Sequence, residues 1–174
     1  MSDVTKESIA NVIHAGIKHG IEVLLEQKCY GSAVILIYAG MDAMAFLSLP
    51  EGRQDVIGDD FIRWTEQYIH FSCREQLTGL DLYGARCGMV HNYSIMSRLS
   101  RQGKCRQIGY VDQSDPEGIY DPHTDRDFVM ISITGLADTF LKGVDRFVID
   151  VFGNPIRAPL ARKRLSHLVH YVSY

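Results

Sequence analysis

The strongest constraint on the fold is a run of seventeen residues, AVILIYAGMDAMAFLSL at positions 33–49, in which nearly every residue is apolar. A helix formed from this run has no polar face, so it must be surrounded by other elements. Its length approaches that of a membrane span, but Asp42 lies in the middle of the run and Pro50 follows it. Because a carboxylate at the centre of a bilayer is costly, the run predicts the central helix of a helical bundle.

The rest of the composition is that of one globular domain. The chain has 174 residues, of which 46% are hydrophobic and 22% are charged. This length supports one sizeable core and is short for two. The formal net charge of -3 gives no global signal for nucleic acid or for a membrane surface, so any such surface must be local. We therefore expect a single soluble domain over residues 1–174 that does not associate with membranes.

The cellular location is predicted from the N-terminus and the cysteines. The start, MSDVTKES, lacks the basic region and the following apolar region of a secretion signal. The four cysteines lie at wide, irregular spacings without a CxxC pair, which favours reduced thiols over a disulfide framework or a zinc site. These features predict a cytoplasmic protein that uses no metal and no other cofactor.

Helical periodicity extends over most of the first hundred residues. Apolar residues at three- and four-residue spacing predict an amphipathic helix over residues 5–27. Gly31 is expected to stop this helix, and Ser32 is expected to cap the core helix. A short third helix follows, with Asp59 or Asp60 as its N-cap.

The start of the fourth helix has two alternatives. Two pairs of residues fit a capping box: Ser72 with Glu75, and Thr78 with Asp81. We favour Thr78 as the N-cap. The helix is expected to run from there to about residue 95, with an extension through residue 101 as the alternative.

The chain changes character after Gly103. Two short segments rich in β-branched and aromatic residues, CRQIGYV and DFVMISI, flank an acidic loop that contains proline and glycine. They predict a small β-hairpin over about residues 105–133, and helical periodicity returns over about residues 134–172. The predicted fold class is therefore mainly α: an up-and-down core bundle over about residues 5–100, an inserted hairpin and additional C-terminal helices.

The fourth helix carries an uncommon combination of residues, LYGARCGMVHNYS at positions 82–94. Arg86 and His91 are five residues apart, so they flank a groove of the helix and do not stack on one ridge. Gly84 and Gly88 lie on one ridge, and each costs about 1 kcal/mol of helix stability relative to alanine. That cost indicates close backbone contact, so we expect another helix to cross here. A symmetric dimer would bring two copies of the pair together.

These residues resemble the R-x(4)-H motif of HEPN domains, with Arg86 and His91 at the motif positions. A bundle with this motif on a late helix, after an apolar helix that carries one acid (Asp42 here), is also similar over roughly residues 5–100. The resemblance implies a helical homodimer with the motifs facing each other and, in many members, metal-independent endoribonuclease activity. Other members are catalytically silent. Cys87 stands where nuclease members often have a polar residue, which favours a silent member.

RNA cleavage without a metal needs a base, an acid and a cation near the phosphate. Histidine side chains ordinarily titrate near neutral pH, and the arginine fork suits phosphate oxygens. We expect His91 to act as general acid or base and Arg86 to stabilise the transition state. A second copy of His91, Tyr93 or water would take the other proton-transfer role, and Asn92 would lie near the RNA. A carboxylate in the apolar run needs a partner, so Asp42 should pair with Arg86 or orient His91.

The last helix is rich in basic residues, and the chain has no acid after Asp150. This predicts that Arg162 and Lys163 contact the RNA, with an ordinary solvated face as the alternative. His167 and His170 are three residues apart and could bind a metal. No third ligand is evident, so we favour a polar helix face there.

Three other interpretations of the motif stay open. Arg86 and His91 could be a structural salt bridge and a satisfied core histidine. They could hold together a non-catalytic dimer that binds RNA, a nucleotide or a regulatory protein. Cys87 and His91 are four residues apart, so they could form an activated thiol or half of a metal site.

Overall fold

The fold is mainly helical, as the sequence predicts. The computed structural model describes residues 9–71, 77–112 and 127–168. A π-helical segment, Ile9–Lys18, precedes α1. The elements that follow are, in order, α1 His19–Glu26, α2 Tyr30–Ser48, α3 Gly58–Tyr68, α4 Gly79–Asn92, α5 Arg98–Arg101, β1 Gln107–Val111, β2 Phe128–Ser132, α6 Ile133–Gly153 and α7 Ala158–Leu165.

Helix α2 is the centre of the described fold. It packs against the π-helical segment and against α1, α3, α4, α6 and α7. Side chains such as Ile37, Met41 and Met44 are fully buried within the core. In the described part of the chain, α2 is the one helix long and apolar enough to cross a membrane, and half of that stretch is buried by its neighbours. The apolar run is therefore explained by packing, and the prediction of a central core helix is confirmed.

The C-terminal end of α2 is completed by α7. The buried Arg164 side chain donates hydrogen bonds to the carbonyl oxygens of Leu49, Pro50 and Arg53, the last two at 2.8 and 3.2 Å. The last carbonyls of a helix lack partners within the helix, and a cation favours the negative end of its dipole. Arg164 therefore stabilises the end of α2.

The boundary between the first two helices differs from the prediction. The left-handed residue is Lys28, with a φ of 55°, and α2 begins at Tyr30. Gly31 and Ser32 therefore lie in the first turn of α2 and do not separate the helices. The side chain of Tyr93 occupies the position that a Cβ on residue 31 would need, which explains the glycine.

Helix α4 begins where the sequence predicts. Thr78 is its N-cap, and the Thr78 and Asp81 side chains each accept a hydrogen bond from the other residue's backbone N–H. The alternative start at Ser72 lies outside the described residues. The helix ends at Asn92, earlier than predicted, because Tyr93 takes a left-handed conformation. The chain then turns, and α5 is a separate short helix rather than an extension of α4.

Both predicted strands are present, but they do not form a hairpin. Strands β1 and β2 pair in parallel, with Gln107 opposite Phe128 and Val111 opposite Ser132. A hairpin joins antiparallel strands through a short turn, whereas a parallel pair needs a connection of a dozen or more residues. Sixteen residues separate these strands, which is enough for the parallel arrangement. The hairpin prediction is therefore wrong.

The two C-terminal helices are confirmed within the described residues. Helix α6 spans Ile133–Gly153, and α7 spans Ala158–Leu165. The predicted end of the last helix, at about residue 172, lies outside the described residues.

The two glycines on α4 serve a different contact from the predicted helix crossing. A Cβ on Gly84 would meet the sulfur of Cys105, and a Cβ on Gly88 would meet the backbone carbonyl of Ser94. The chain that follows α4 folds back over this ridge, and the Ser94 amide donates to the Gly88 carbonyl at 3.1 Å. The prediction that another helix crosses at these glycines is therefore wrong.

Replacing Gly88 with alanine is expected to lower the free energy of unfolding by about 1–3 kcal/mol, because overpacking against backbone outweighs the gain of about 1 kcal/mol in helix propensity. Gly153→Ala is the matched control, since a Cβ there would meet open space. Urea unfolding of both proteins measures the difference. Equal effects of the two substitutions would contradict the contact at Gly88.

Candidate active site

Asp42 and Arg86 face each other across the contact between α2 and α4. The Asp42 Oδ2 atom accepts a hydrogen bond from Arg86 Nε at 2.8 Å and forms an ion pair with Arg86 Nη2 at 2.7 Å. Asp42 and Arg86 are both half-buried, with 25% and 21% of the side chain exposed. The predicted pairing of Asp42 with Arg86 is therefore present, although Asp42 is less buried than its apolar sequence context suggests.

His91 lies on the other side of the same guanidinium. Arg86 Nη1 is 3.1 Å from His91 Nε2, and His91 is exposed. A guanidinium can only donate, so Nε2 is the acceptor, and the proton of the neutral imidazole lies on Nδ1. The structure thus joins Asp42, Arg86 and His91 into one hydrogen-bonded row. These three residues form the motif cluster.

The electrostatics of the motif cluster keep Arg86 charged. Burial opposes the charge of Arg86, but the hydrogen bond and attraction to Asp42 outweigh it, and the pKa of Arg86 lies above its ordinary value. Burial also raises the pKa of the Asp42 carboxyl, and Arg86 offsets only part of that rise. Asp42 therefore binds the charged guanidinium of Arg86, and Arg86 in turn orients His91. The positive charge of the cluster lies between the carboxylate of Asp42 and the exposed imidazole.

Tyr83 and Cys87 complete the surroundings of the motif cluster. Burial is the main cause that raises the pKa of the Tyr83 hydroxyl, and the interaction with Cys87 raises it further. Both Arg86 and Asp42 also lie close enough to affect this pKa. The Tyr83 ring also lies against Gly58 at the start of α3. Sequence reasoning did not select Tyr83, although its spacing of three residues from Arg86 places both on one face of α4.

Tyr93 is placed apart from the motif cluster. Its hydroxyl lies against Gly31, and Gly31 is eleven residues before Asp42 on α2. Eleven residues of α-helix span about 16 Å. The structure therefore does not bring the Tyr93 hydroxyl to Arg86, whereas Asn92 is exposed at the last position of α4, next to His91.

The predicted RNA contacts on α7 also lie elsewhere. Lys163 is exposed and lines a groove at the C-terminal end of α2, which none of the three motif residues lines. Arg162 is half-buried, and its Nε atom is buried without a hydrogen-bond partner. Among the described residues, no hydrogen bond or ion pair joins either side chain to the motif cluster. That Arg162 and Lys163 contact RNA therefore stays a prediction, and it does not depend on the motif cluster.

The side chains that commonly hold metal ions in proteins are those of histidine, cysteine, aspartate and glutamate. Within residues 9–71, 77–112 and 127–168, no three of these side chains lie close enough to share an ion. The predicted partner of His167, His170, lies outside the described residues.

Of the four predicted catalytic residues, Asp42, Arg86 and His91 make direct side-chain contacts, and Tyr93 lies apart. The motif cluster combines an exposed imidazole with a charged guanidinium held by a carboxylate. No protein-family model, curated protein or solved structure matches this chain.

Proposed function

We propose that this protein is a metal-independent endoribonuclease of the HEPN type that acts as a homodimer in the cytoplasm. The observation that supports this proposal is the hydrogen-bonded row of Asp42, Arg86 and His91 at the surface of the α2–α4 contact. Arg86 is charged and held in place, and the imidazole beside it is accessible to an RNA strand.

The proposed reaction starts at a ribose 2'-hydroxyl. A phosphate oxygen that approaches Arg86 Nη1 replaces His91 Nε2 as the acceptor, and the freed Nε2 then takes the proton of the 2'-hydroxyl. The 2'-oxygen forms a bond to phosphorus, and the bond to the 5'-oxygen breaks. Arg86 stabilises the negative charge that develops on the phosphoryl oxygens, because a guanidinium binds such oxygens with two parallel donors.

The leaving 5'-oxygen needs a proton from a second group. One His91 cannot act as base and acid in the same step, and the Tyr93 hydroxyl lies beside Gly31. A second copy of the chain would supply a protonated His91 on the other side of the phosphate. This is the reason for including a homodimer in the proposal, and Asn92 lies where it could contact the RNA next to the reacting group.

The test is cleavage of an end-labelled single-stranded RNA in EDTA. We expect the purified protein to produce 2',3'-cyclic phosphate and 5'-hydroxyl ends, and Cys87→Ala to retain cleavage because the thiol takes no part in the reaction. A His91→Ala protein purified in the same way excludes a contaminating nuclease. Loss of cleavage in the Cys87→Ala protein, or after thiol alkylation, would favour a Cys–His hydrolase.

A non-catalytic dimer that binds RNA or a nucleotide is the second candidate. The observation that favours it is the closed contact of Arg86 with both Asp42 and His91, together with a thiol at position 87 where a polar group is common in nucleases. This candidate predicts binding of the labelled RNA without cleavage, and dissociation of the dimer after Arg86→Ala. A regulatory protein that binds the same face belongs to this second proposal.

A further inference from the structure

A groove of ≈ 1170 Å³ lies at the opposite end of α2 from Gly31. Its walls come from the end of α2, the chain that follows to residue 54, and the beginning and outer face of α7. None of the motif residues lines it. Binding sites for small molecules are typically concave and mostly apolar, with a few polar groups that fix orientation.

The apolar part of the groove wall is mainly aliphatic. Leu160 is half-buried, whereas Pro50, Pro159 and Ile156 are exposed, with Ile156 at 86%. Such an exposed isoleucine beside a concave surface leaves apolar area in contact with water, and covering that area is favourable. The one phenyl ring in the wall, that of Phe46, already lies beneath the guanidinium of Arg164. These walls suit an alkyl chain better than a stacked base.

The charge of the groove is mainly positive. Four of its lining side chains are arginine or lysine: Arg53, Arg157, Lys163 and Arg164. Glu51 is the one acid among the residues that line it, and His167 adds an imidazole at the rim. Arg53 and Arg157 also bind carboxylates outside the groove, namely Asp60 at 2.5 Å and Asp150 at 2.7 Å. Lys163 makes no ion pair in the described part of the chain, so the groove favours an anion.

A small polar pocket of ≈ 90 Å³ adjoins the groove and shares Ser48, Leu49 and Arg157 with it. Trp64 lines this pocket, is only 2% exposed, and its buried Nε1–H has no acceptor within the described residues. A buried donor without a partner costs about 1–3 kcal/mol, so an acceptor at this position would be favourable. The indole is thus an observation independent of the groove that also calls for an oxygen ligand.

Asp60 also lines this pocket, and an uncompensated carboxylate there would repel an anionic ligand. Arg53 and Arg63 bind its two carboxylate oxygens at 2.5 and 3.4 Å, and its own oxygen also accepts from the Ile57 amide. With two guanidinium groups on one carboxylate, Asp60 is fully compensated. Arg157 is also paired, through Nη1 with Asp150 at 2.7 Å, but its side chain is 35% exposed and lines both cavities, so it is the cation that a ligand would meet where the pocket joins the groove.

We propose that the groove and the pocket together bind an amphipathic carboxylate, an alkyl chain whose acidic head lies between Arg157 and the Trp64 indole. The size of the pocket fits a carboxylate, and the aliphatic walls of the groove receive the chain. This site is separate from the motif cluster and goes beyond the proposed nuclease activity.

The test uses sodium decanoate at submicellar concentration with the full chain. Isothermal titration should show one bound decanoate per chain, and the emission of Trp64, the single tryptophan of the chain, should change with the same dissociation constant. Decanol, which lacks the charge, and acetate, which lacks the chain, are each expected to bind at least ten-fold more weakly. Binding of AMP in place of decanoate would overturn the assigned ligand class.

Two substitutions locate the head group. Arg157→Ala removes a half-exposed side chain and is expected to weaken decanoate binding at least ten-fold, whereas Arg98→Ala, an exposed arginine on α5, should change it less than two-fold. Trp64→Phe keeps a ring in the core and removes the N–H, and it should also weaken binding as measured by titration. Absence of decanoate binding would overturn the proposal. A dissociation constant that is unchanged in both the folded Arg157→Ala and the folded Trp64→Phe proteins would overturn it as well.

Discussion

Replacing His91 with alanine is expected to lower the rate of RNA cleavage by a factor of about 10²–10⁴, the usual contribution of general acid–base catalysis. The same substitution should change the free energy of unfolding by less than about 0.5 kcal/mol, because the side chain is exposed and its bond to Arg86 is at the surface. A histidine with a purely structural role would not produce a large fall in cleavage rate together with an unchanged free energy of unfolding.

The matched control is His14→Ala. His14 is also exposed, and it lies on the π-helical segment away from α4. Single-turnover cleavage of labelled RNA and urea unfolding would be measured on both variants. If the His91→Ala protein cleaves RNA at the wild-type rate, the catalytic role of the motif cluster is wrong. The role is also wrong if a lower free energy of unfolding accounts for the loss of cleavage.

The second large effect is expected at Asp81, where alanine should lower the free energy of unfolding by about 3–5 kcal/mol, as for other broken buried ion pairs. Its side chain is 4% exposed and accepts from the Thr78 amide at 2.9 Å and from the Arg106 amide at 2.7 Å. The Arg106 guanidinium also binds it, through Nε at 3.1 Å and Nη2 at 2.8 Å. These bonds hold β1 to the start of α4, so the loss affects two elements.

The pH dependence gives a second measurement of the same interaction. Burial opposes ionisation of Asp81, but the bonds from Arg106 and Thr78 outweigh it and lower its pKa. The ionised side chain therefore stabilises the fold above the unfolded-state pKa of about 4, and this contribution is lost as the pH falls through the lower folded-state value. The difference in unfolding free energy between wild type and Asp81→Ala should narrow between pH 7 and pH 2.5.

Asp138→Ala is the control for this prediction. Asp138 pairs with Lys142 on the surface of α6, with 54% of its side chain exposed. An exposed pair of this kind contributes about 0.3–0.5 kcal/mol. Equal losses of unfolding free energy in Asp81→Ala and Asp138→Ala would contradict the buried ion pair at Asp81. So would a difference between wild type and Asp81→Ala that stays constant with pH.

The longer helices were predictable because each has a local signal, although the predicted N-cap of α3 is wrong: Ile57 is the N-cap, and Asp59 and Asp60 lie in the first turn. The apolar run has no polar side, and Thr78 with Asp81 forms a capping box that depends on residues three apart. The direction of the strands has no such signal, since composition is the same for parallel and antiparallel pairs. The sixteen-residue connection was the available clue, because hairpin loops are usually two to five residues long.

The candidate site was partly predictable for the same reason. A carboxylate in an apolar helix needs a cation, and the Asp42–Arg86 pair follows from that requirement. The positions of Tyr83 and Tyr93 depend instead on how α4 ends and on which helix each ring meets. Those contacts are tertiary. The sequence spacing does not reveal that Tyr83 lies beside Arg86 and that Tyr93 lies beside Gly31.

The cap that Arg164 provides for α2 has a consequence for how the protein is made. The Leu49 carbonyl and the Arg164 guanidinium are separated by 115 positions in the chain. A ribosome releases the polypeptide from its N-terminal side, so α2 leaves the exit tunnel long before the residue that completes its end has been synthesised. The C-terminal end of the central helix therefore lacks this cap until α7 has emerged.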